Sequence, residues 1–388
     1  MTRDCEQEGK TRLNLTFRSG RGPALRLAGL ALVVVLVSCA TAQPPEDPVE
    51  AMDQLMTRYE QNGLFSGAVL VAEGGEVVYE GAFGHANYEW KVPNTVDTRF
   101  RIASITKPFT MVLVFQLCEE GVLDLQGTIT DYIPEYGGPG GDRITVEQLL
   151  VHSAGIASER NVRDLDDIER HTWSKEKFRR HIESYELQFE PGERHAYSNF
   201  GYTLLGYIIE SASGRSYADL LEERICKPAG MTNTMMDLNK PLIERRAAGY
   251  HYDPELGVVN SPYLDMSFCF GAGHLLSTVR DLFLFDRALR AGDLVPDEYL
   301  EFMLGFSAER EKLGSSRHEE DVFRFGGSIN GFLCSTHSYT QDDRFVAVLS
   351  NVKDRSEDYL PSTFTVARNL AAILYGVPYR LPDPVEAE

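Results

Sequence analysis

The stretch FRIASITKPF, residues 100–109, carries a serine and a lysine three positions apart at the start of a predicted helix. Apolar residues at helical spacing over residues 105–120 indicate that helix. Residues three apart on a helix share one face, so the side chains of Ser104 and Lys107 are expected within reach of each other. A serine hydroxyl is a weak nucleophile, and a partly desolvated lysine beside positive potential can help to remove its proton. The spacing alone also fits a helix-capping serine and a solvated lysine.

A second stretch, PGERHAYSNFGY at residues 191–202, supplies a tyrosine. A free tyrosine has a pKa of about 10 and is a poor base at neutral pH, but a nearby ammonium group stabilises its phenolate. Tyr197 and Lys107 together can therefore carry the proton of Ser104 to a leaving group. Without Ser104 and Lys107, Tyr197 would be much more typical of a core side chain with a satisfied hydroxyl.

Three further stretches complete an ordered series: LLVHSAG at residues 149–155, KPAGMT at 227–232 and GHLLST at 273–278. With the two stretches above, they resemble the serine β-lactamase and penicillin-binding-protein-like hydrolases. The resemblance is to the branch that holds class C β-lactamases, D-Ala-D-Ala carboxypeptidases and related esterases, and it covers residues 50–375. Such a series in order is far more specific than any one motif.

The resemblance implies a role for each residue of the site. Ser104, Lys107 and Tyr197 would carry catalysis, and Asn199 would line the substrate site. The backbone N–H groups of Ser104 and Ser328 would form an oxyanion hole, in which the loss of one donor typically lowers the rate about a hundredfold or more.

The third motif of the family, on a strand that edges the cleft, has Lys or His, then Thr, Ser or Gly, then Gly. Here Phe325, Gly326 and Gly327 occupy these positions, followed by Ser328. The glycines leave the strand edge bare, so substrate can approach the backbone. Phenylalanine cannot hydrogen-bond a substrate carboxylate, and Arg324 would point to the opposite face of a regular strand. We therefore expect an ester or amide substrate without that carboxylate, unless Phe325 only packs against its neighbours.

The remaining sequence predicts an α/β (α+β) fold. Residues 67–84 predict two strands around a glycine turn, and residues 331–339 and 344–350 predict further strands. Residues 144–264 look mainly helical, and residues 362–374 have a helical period.

We expect one hydrolase domain at residues 50–385 with the β-lactamase/transpeptidase-like architecture. A mostly antiparallel sheet flanked by helices would be formed by residues 50–105 and 265–385, and residues 106–264 would form a helical part. Ser104 would lie where the two parts meet.

The N-terminus predicts export. Arginines precede an apolar run that is too short for a comfortable membrane span, so residues 1–38 are expected to be a signal peptide. The run ends in LVSC, which resembles the lipobox of bacterial lipoproteins, with Cys39 as the acylated residue. Residues 39–49 would then be a tether, and the domain would face the periplasm or the exterior. An uncleaved anchor or a simple signal peptide is the alternative.

Composition excludes several partners. A net charge of -20 argues against nucleic acid. No zinc-binding histidine spacing and no C-x-x-C pair occurs, so we expect no metal and no cofactor.

His152 and His195 are interpreted as structural hydrogen-bonding residues. The four cysteines after residue 50 are widely spaced, and both a disulfide and buried free thiols fit the sequence.

Three functions remain open. The first is an esterase or amidase with an acyl-enzyme on Ser104, acting on a small-molecule or peptide-like substrate. The second is a D-Ala-D-Ala carboxypeptidase or a β-lactamase. The third is a lipoprotein that only binds a ligand in its cleft. The sequence indicates neither the natural substrate nor the oligomeric state.

Overall fold

The computed structural model describes residues 41–42, 47–158, 162–309, 322–354 and 359–382. The expected signal peptide at residues 1–38 and Cys39 lie outside these ranges. Internal contacts divide the chain after Cys39, and every described residue belongs to the second part, Ala40–Glu388. Within the described ranges, no helix combines the length and the apolar character needed to cross a bilayer.

A five-stranded antiparallel sheet forms the centre of the fold. Its strands lie in the spatial order β11 (Val322–Ile329), β12 (Phe332–Tyr339), β13 (Arg344–Ser350), β2 (Gly67–Glu73) and β3 (Glu76–Phe83). Gly74 and Gly75 make the turn between β2 and β3 at positive φ, a conformation that glycine adopts without steric cost. The predicted strands and the predicted mostly antiparallel sheet are confirmed.

Helices cover both faces of this sheet. On one face lie α1 (Pro48–Gln61) and α12 (Thr363–Leu374), and on the other lie α2 (Thr106–Glu119) and α10 (Val279–Arg290). Alternate side chains of β2 go to opposite faces, so this strand is buried along nearly its whole length. The sequence predicts α2 and α12 to within one residue at each end.

The helical part packs around α2, whose side chains are nearly all buried. Its longest neighbour is α7 (Asn199–Ser213), which packs directly against α2. The other α-helices of this part are α3 (Ile129–Tyr132), α4 (Val146–Leu150), α5 (Leu165–Arg170), α6 (Lys175–Glu183), α8 (Tyr217–Leu221) and α9 (Lys227–Ala229). Helix α11 (Asp297–Glu309) comes later in the chain, after α10.

The helical part ends earlier than predicted, at Ala229 rather than residue 264. Three strands follow it: β7 (Met235–Met236), β8 (Tyr250–Asp253) and β9 (Gly257–Asn260). Each is only two to four residues long, which is too short for a periodic signal in the sequence. The remaining short strands are β1 (Thr41–Ala42), β4 (His85–Asn87), β5 (Val92–Pro93), β6 (Phe100–Arg101), β10 (Leu275–Ser277), β14 (Val352–Asp354) and β15 (Tyr379–Arg380).

The domain also begins before residue 50. The side chain of Asp47 accepts hydrogen bonds from the first N–H groups of α1, and Pro48 is the first residue of that helix. Two residues of the expected tether, Pro48 and Val49, therefore belong to α1. Thr41–Ala42, also in the expected tether, pairs antiparallel with β15.

The four cysteines in the described part of the chain are free thiols: Cys118, Cys226, Cys269 and Cys334. Burial raises the pKa of Cys118 to about 11 and the pKa of Cys226 and Cys269 to about 12. These thiols are therefore protonated and unreactive near neutral pH. Of the two alternatives left by the sequence, the structure shows free thiols.

A buried asparagine joins three separate segments next to the end of β13. Asn351 donates from Nδ2 to the carbonyls of His85 (2.9 Å) and Ala248 (3.0 Å). Its Oδ1 accepts from Ser66 Oγ at 2.9 Å and from Asn94 Nδ2 at 3.3 Å. All hydrogen-bonding positions of this amide are used, which fixes β13 and β14 to the loops beside them.

We predict that Asn351→Ala lowers the free energy of unfolding by about 2–3 kcal/mol, because two partly buried carbonyls lose a donor and the buried side chains of Ser66 and Asn94 lose an acceptor. The matched control is Asn260→Ala, which removes one exposed hydrogen bond to Glu89 and should cost within about 0.5 kcal/mol. Urea denaturation followed by circular dichroism measures both. Equal effects of the two substitutions would contradict the role given to Asn351.

Candidate active site

Ser104 lies in a tight turn that connects β6 to α2. Residues Ala103–Ile105 form one turn of 3-10 helix, and Ala103 has a φ of 47°. Such a conformation costs a non-glycine residue about 1–2 kcal/mol, so the surroundings must hold it. The N–H of Ile102 donates to the carbonyl of Leu275 at 3.0 Å, which fixes the start of the turn to β10. Ser104 is thereby presented at the N-terminal end of α2.

Three side chains from two distant stretches meet at this turn; we call Ser104, Lys107 and Tyr197 the Ser104 cluster. The hydroxyl oxygens of Ser104 and Tyr197 are 2.7 Å apart. Lys107 Nζ donates to Ser104 Oγ at 3.2 Å. The lysine and tyrosine therefore both contact the one hydroxyl, as the sequence predicts.

Lys107 is buried, and its ammonium group has three acceptors. Besides Ser104 Oγ, these are Asn199 Oδ1 at 2.6 Å and the carbonyl of Ala272 at 2.8 Å. The rings of Tyr197 and Tyr202 lie 4.8 and 5.3 Å from Nζ, within the range of a cation–π interaction. Asn199, predicted to line the substrate site, here holds the lysine in place.

His152 fixes the backbone on both sides of Tyr197. Its carbonyl accepts from the N–H of Ala196 at 2.8 Å, and its ring Nδ1 accepts from the N–H of Ser198 at 3.2 Å. The ring also packs against Tyr197, with centroids 4.4 Å apart. Because Nδ1 is an acceptor, the neutral ring carries its proton on Nε2. The hydrogen bonds of His152 thus hold the backbone on either side of Tyr197, and its ring contacts the ring of Tyr197. His195 is exposed, and its ring lies edge-on to that of His152.

The third-motif strand passes close to the turn of Ser104. A Cβ atom added at Gly327 would lie 2.1 Å from the carbonyl oxygen of Ile102, so only glycine fits there. Added at Gly326, it would instead meet the ring of Phe364 in α12. Gly327 thus allows close approach on the side of the Ser104 turn, and Ser328 follows it as an exposed residue.

Phe325 and Arg324, which precede the two glycines on β11, face opposite sides of the sheet. Phe325 packs with the main core, and its ring lies 4.3 Å from the ring of Phe323, edge to face. Arg324 pairs with His337 in register, and the ring of His337 contacts Phe364 of α12. Arg324 therefore lies on the α12 face, as expected, and gives the Ser104 side of the strand no cation.

A buried charge network supports the strand that leads to Ser104. Arg101 Nε donates to Asp237 Oδ2 at 2.6 Å, and Arg246 binds the other carboxylate oxygen at 3.0 Å. His274 Nε2 donates to the Asp237 carbonyl at 2.8 Å. Burial lowers the pKa of His274, which keeps this ring neutral at physiological pH. The network fixes β6 against β10 just before the strained turn.

Comparison with known proteins identifies the family. The Beta-lactamase family model matches residues 50–361. This chain belongs to the Beta-lactamase family. It is 30% identical over 363 residues to penicillin-binding protein 4* of Bacillus subtilis (strain 168), an alignment that covers 85% of this chain and 77% of that protein. The resemblance inferred from the sequence motifs is confirmed.

Solved structures agree with this family assignment. The octameric penicillin-binding protein homologue from Pyrococcus abyssi has a TM-score of 0.71 and 26% identity, covering 85% of this chain and 78% of that chain. D-amino acid amidase from Ochrobactrum anthropi SV3 has a TM-score of 0.69 and 23% identity, and the match covers 83% of this chain and 99% of that chain. This likeness shows the fold. The family member described here therefore has the serine hydrolase fold of β-lactamases and penicillin-binding proteins.

Sequence reasoning did not identify several contacts of this family member. The carbonyl of Ala272 is a backbone group, and no side-chain pattern marks it as an acceptor for Lys107. Lys353 Nζ contacts Ser328 Oγ at 2.7 Å, although the two residues are 25 positions apart. Tyr202 falls inside a recognised stretch, yet its position beside Lys107 depends on how α7 packs on α2.

We predict that His152→Ala lowers kcat for ester hydrolysis by about tenfold or more with a smaller change in KM, because a misplaced phenol slows proton transfer. His152→Asn should recover much of the loss, since asparagine tolerates the positive φ of 57° and offers a short acceptor to Ser198. His171→Ala, at an exposed histidine, is the control. Steady-state kinetics in which all three variants resemble wild type would contradict a positioning role.

Proposed function

We propose that this protein is an exported hydrolase that cleaves an ester or amide through an acyl-enzyme on Ser104. The observation that carries the proposal is the contact of one hydroxyl with both a phenol and an amine, at 2.7 and 3.2 Å. These distances are within the range needed for proton transfer during nucleophilic attack.

The proposed reaction has two steps. Ser104 Oγ attacks the substrate carbonyl carbon, and its proton moves to Tyr197 or Lys107. Either a phenolate beside an ammonium group or a neutral amine can accept it. The same pair returns the proton to the leaving alcohol or amine as the bond to the carbonyl carbon breaks. Water then takes the place of the leaving group and attacks the carbonyl carbon of the acyl-enzyme. Its proton passes through Tyr197 or Lys107 to Ser104 Oγ as the bond from that oxygen to the acyl group breaks, which releases the acid and restores Ser104.

The proposed oxyanion hole consists of the N–H groups of Ser104 and Ser328. Support comes from Gly327, which brings β11 against the carbonyl of Ile102 directly before the reactive turn. Backbone donors held by a strand and a fixed turn need little reorganisation when charge develops on the substrate oxygen.

The substrate preference rests on Phe325. Its ring packs with Phe323 and the core, so this position lacks the cation or imidazole with which the family's third motif would hold a carboxylate. Penicillin-binding protein 4*, the relative at 30% identity, favours a second candidate, a D-Ala-D-Ala carboxypeptidase or β-lactamase activity. The third candidate is a protein that only binds a ligand in its cleft.

We predict that a fluorophosphonate probe labels the wild-type protein and Ser184→Ala, an exposed serine control, but not Ser104→Ala. Tyr197→Phe should lower kcat/KM for p-nitrophenyl butyrate about a hundredfold or more, since general acid–base groups contribute that much. Gel fluorescence and absorbance assays measure these effects. Hydrolysis of nitrocefin faster than of the ester would favour the second candidate, and labelling that persists in Ser104→Ala would refute the proposed nucleophile.

The proposed location is the bacterial cell envelope, through a signal peptide at residues 1–38 and a lipid on Cys39 followed by a tether. Support comes from the LVSC sequence and from the relatives, which include bacterial penicillin-binding proteins. The proposed partner of the anchor is the membrane, and the domain would face the periplasm or the exterior.

We predict that the full chain, expressed in a bacterium that processes lipoproteins, enters the detergent phase on Triton X-114 partitioning. Cys39→Ala should move it to the aqueous phase or leave it unprocessed, whereas Cys5→Ala, a control within the expected signal peptide, should not. Immunoblotting of both phases measures this. Detergent partitioning of a processed Cys39→Ala protein would contradict lipidation at this residue.

A further inference from the structure

Two consecutive carbonyls accept hydrogen bonds from the helix that carries Lys107. Lys107 Nζ donates to the carbonyl of Ala272 at 2.8 Å, and Thr110 Oγ1 donates to the carbonyl of Gly271 at 2.6 Å. The two side chains are three residues apart on α2 and therefore lie on one face of this helix. The acceptor of the lysine is thus the next carbonyl along the chain after the acceptor of the threonine.

The two carbonyls belong to a turn at residues 270–273 that follows a short 3-10 helix, Met266–Cys269. The N–H groups of Ala272 and Gly273 both donate to the carbonyl of Cys269, at 3.0 and 2.8 Å. These two bonds hold the N–H end of each peptide group, and α2 contacts the carbonyl end. Each of the two peptide planes therefore depends on its bond from α2 to be fixed at both ends.

Gly271 brings this turn against α7. Its φ is 71°, and a Cβ atom added there would lie 2.7 Å from the carbonyl oxygen of Tyr202. Only glycine accommodates both the conformation and the close contact. The turn is therefore in contact with α7 as well as with α2, and the bond from Thr110 directs the Gly271 carbonyl to α2.

A buried tyrosine fixes the hydroxyl of Thr110. The hydroxyl oxygens of Tyr217 and Thr110 are 2.8 Å apart. The single hydroxyl proton of Thr110 is used in the bond to Gly271, so Tyr217 is the donor in this contact. Burial raises the pKa of Tyr217, and its phenol therefore stays protonated and able to donate near neutral pH.

We infer that Thr110 and Tyr217 are positioning residues for the Ser104 cluster. Through the Gly271 carbonyl they fix the orientation of the turn, and the turn presents the Ala272 carbonyl to Lys107. Both side chains are fully buried, so they act on the reaction through the lysine rather than by contact with a substrate. This inference rests on the proposed function and identifies what keeps its amine in place.

The Ala272 carbonyl matters most after Ser104 has reacted. In the proposed acyl-enzyme, Ser104 Oγ is an ester oxygen, which is a poorer acceptor than a hydroxyl. Lys107 then depends on its bonds to Asn199 and Ala272. A misplaced Ala272 carbonyl would leave the amine with one strong acceptor, and displacement of a reacting group by about 1 Å can lower a rate about a hundredfold.

The test compares variants of the two buried hydroxyls with a matched control. Thr110→Val keeps the shape of the side chain and removes the hydroxyl, Thr110→Ser keeps the hydroxyl, and Tyr217→Phe removes the phenol oxygen alone. The control is Thr203→Val. Thr203 is also a fully buried helical threonine, and its Oγ1 donates to a carbonyl of the same segment, that of Phe268 at 3.2 Å. Urea unfolding, kcat and KM for p-nitrophenyl butyrate, and the rate of fluorophosphonate labelling of Ser104 are measured for each variant.

We expect Thr110→Val to lower kcat and the labelling rate about tenfold or more, with a smaller change in KM, because the amine is misplaced while the substrate site is unchanged. Thr110→Ser should recover most of both rates. Tyr217→Phe should lower them by less than Thr110→Val does, since the threonine hydroxyl is retained. Thr203→Val should destabilise the fold to a similar extent as Thr110→Val and leave both rates close to those of wild type.

The inference and the proposed function fail in different ways. If wild type hydrolyses the ester and is labelled at Ser104, but Thr110→Val is no slower than Thr203→Val, the positioning role is refuted and the hydrolase stands. A Thr110→Ser variant as slow as Thr110→Val would also refute the role. If Thr110→Val does not fold, Tyr217→Phe decides, and rates no lower than those of Thr203→Val refute the role. If wild type neither hydrolyses an ester nor is labelled at Ser104, the proposed function is refuted, and the inference with it.

Discussion

The hydroxyl of Ser104 contacts a phenol and an amine at once, and much of the surrounding structure serves to keep that contact. Lys107 lies in the first turn of α2, directly after the turn that holds the serine, but Tyr197 lies 93 residues away from Ser104. Their meeting requires α7 to pack against α2. It also requires the turn of Ala103 to hold its strained conformation, which the pairing of β6 with β10 stabilises.

The lysine shows how a buried charge is accommodated. Lys107 has an acceptor for each of its three N–H bonds and two aromatic rings within cation–π range. An unpaired buried ammonium group would be strongly destabilising, so each acceptor contributes to the stability of the fold. The same arrangement keeps the amine next to Ser104 and prevents it from turning to solvent.

Local patterns in the sequence predict much of this fold. The strands β2, β12 and β13 and the helices α2 and α12 each have a clear apolar period, and each is found where expected. The proximity of Ser104 and Lys107 follows from helical spacing alone. The contact with Tyr197 does not, and among the sequence features only the order of the family's motifs indicates it.

Other features depend on tertiary contacts that no local pattern encodes. The short strands between residues 235 and 260 depend on their pairing partners. Strand β7 pairs with β10, and β8 pairs with β14 and β9. The carbonyl of Ala272 and the link between Lys353 and Ser328 join distant parts of the chain. Position 325 shows the limit of motif reasoning, because the motif leaves open whether Phe325 only packs against its neighbours, and the structure shows its ring against that of Phe323.

The most direct measurement is the mass of the protein during turnover. Rapid acid quenching of the reaction with an activated ester, followed by peptide mass spectrometry, should find the acyl group on the hydroxyl of Ser104, at a level that falls as substrate is consumed. An acyl group on another residue during rapid turnover, or turnover that continues undiminished in Ser104→Ala, would contradict the account.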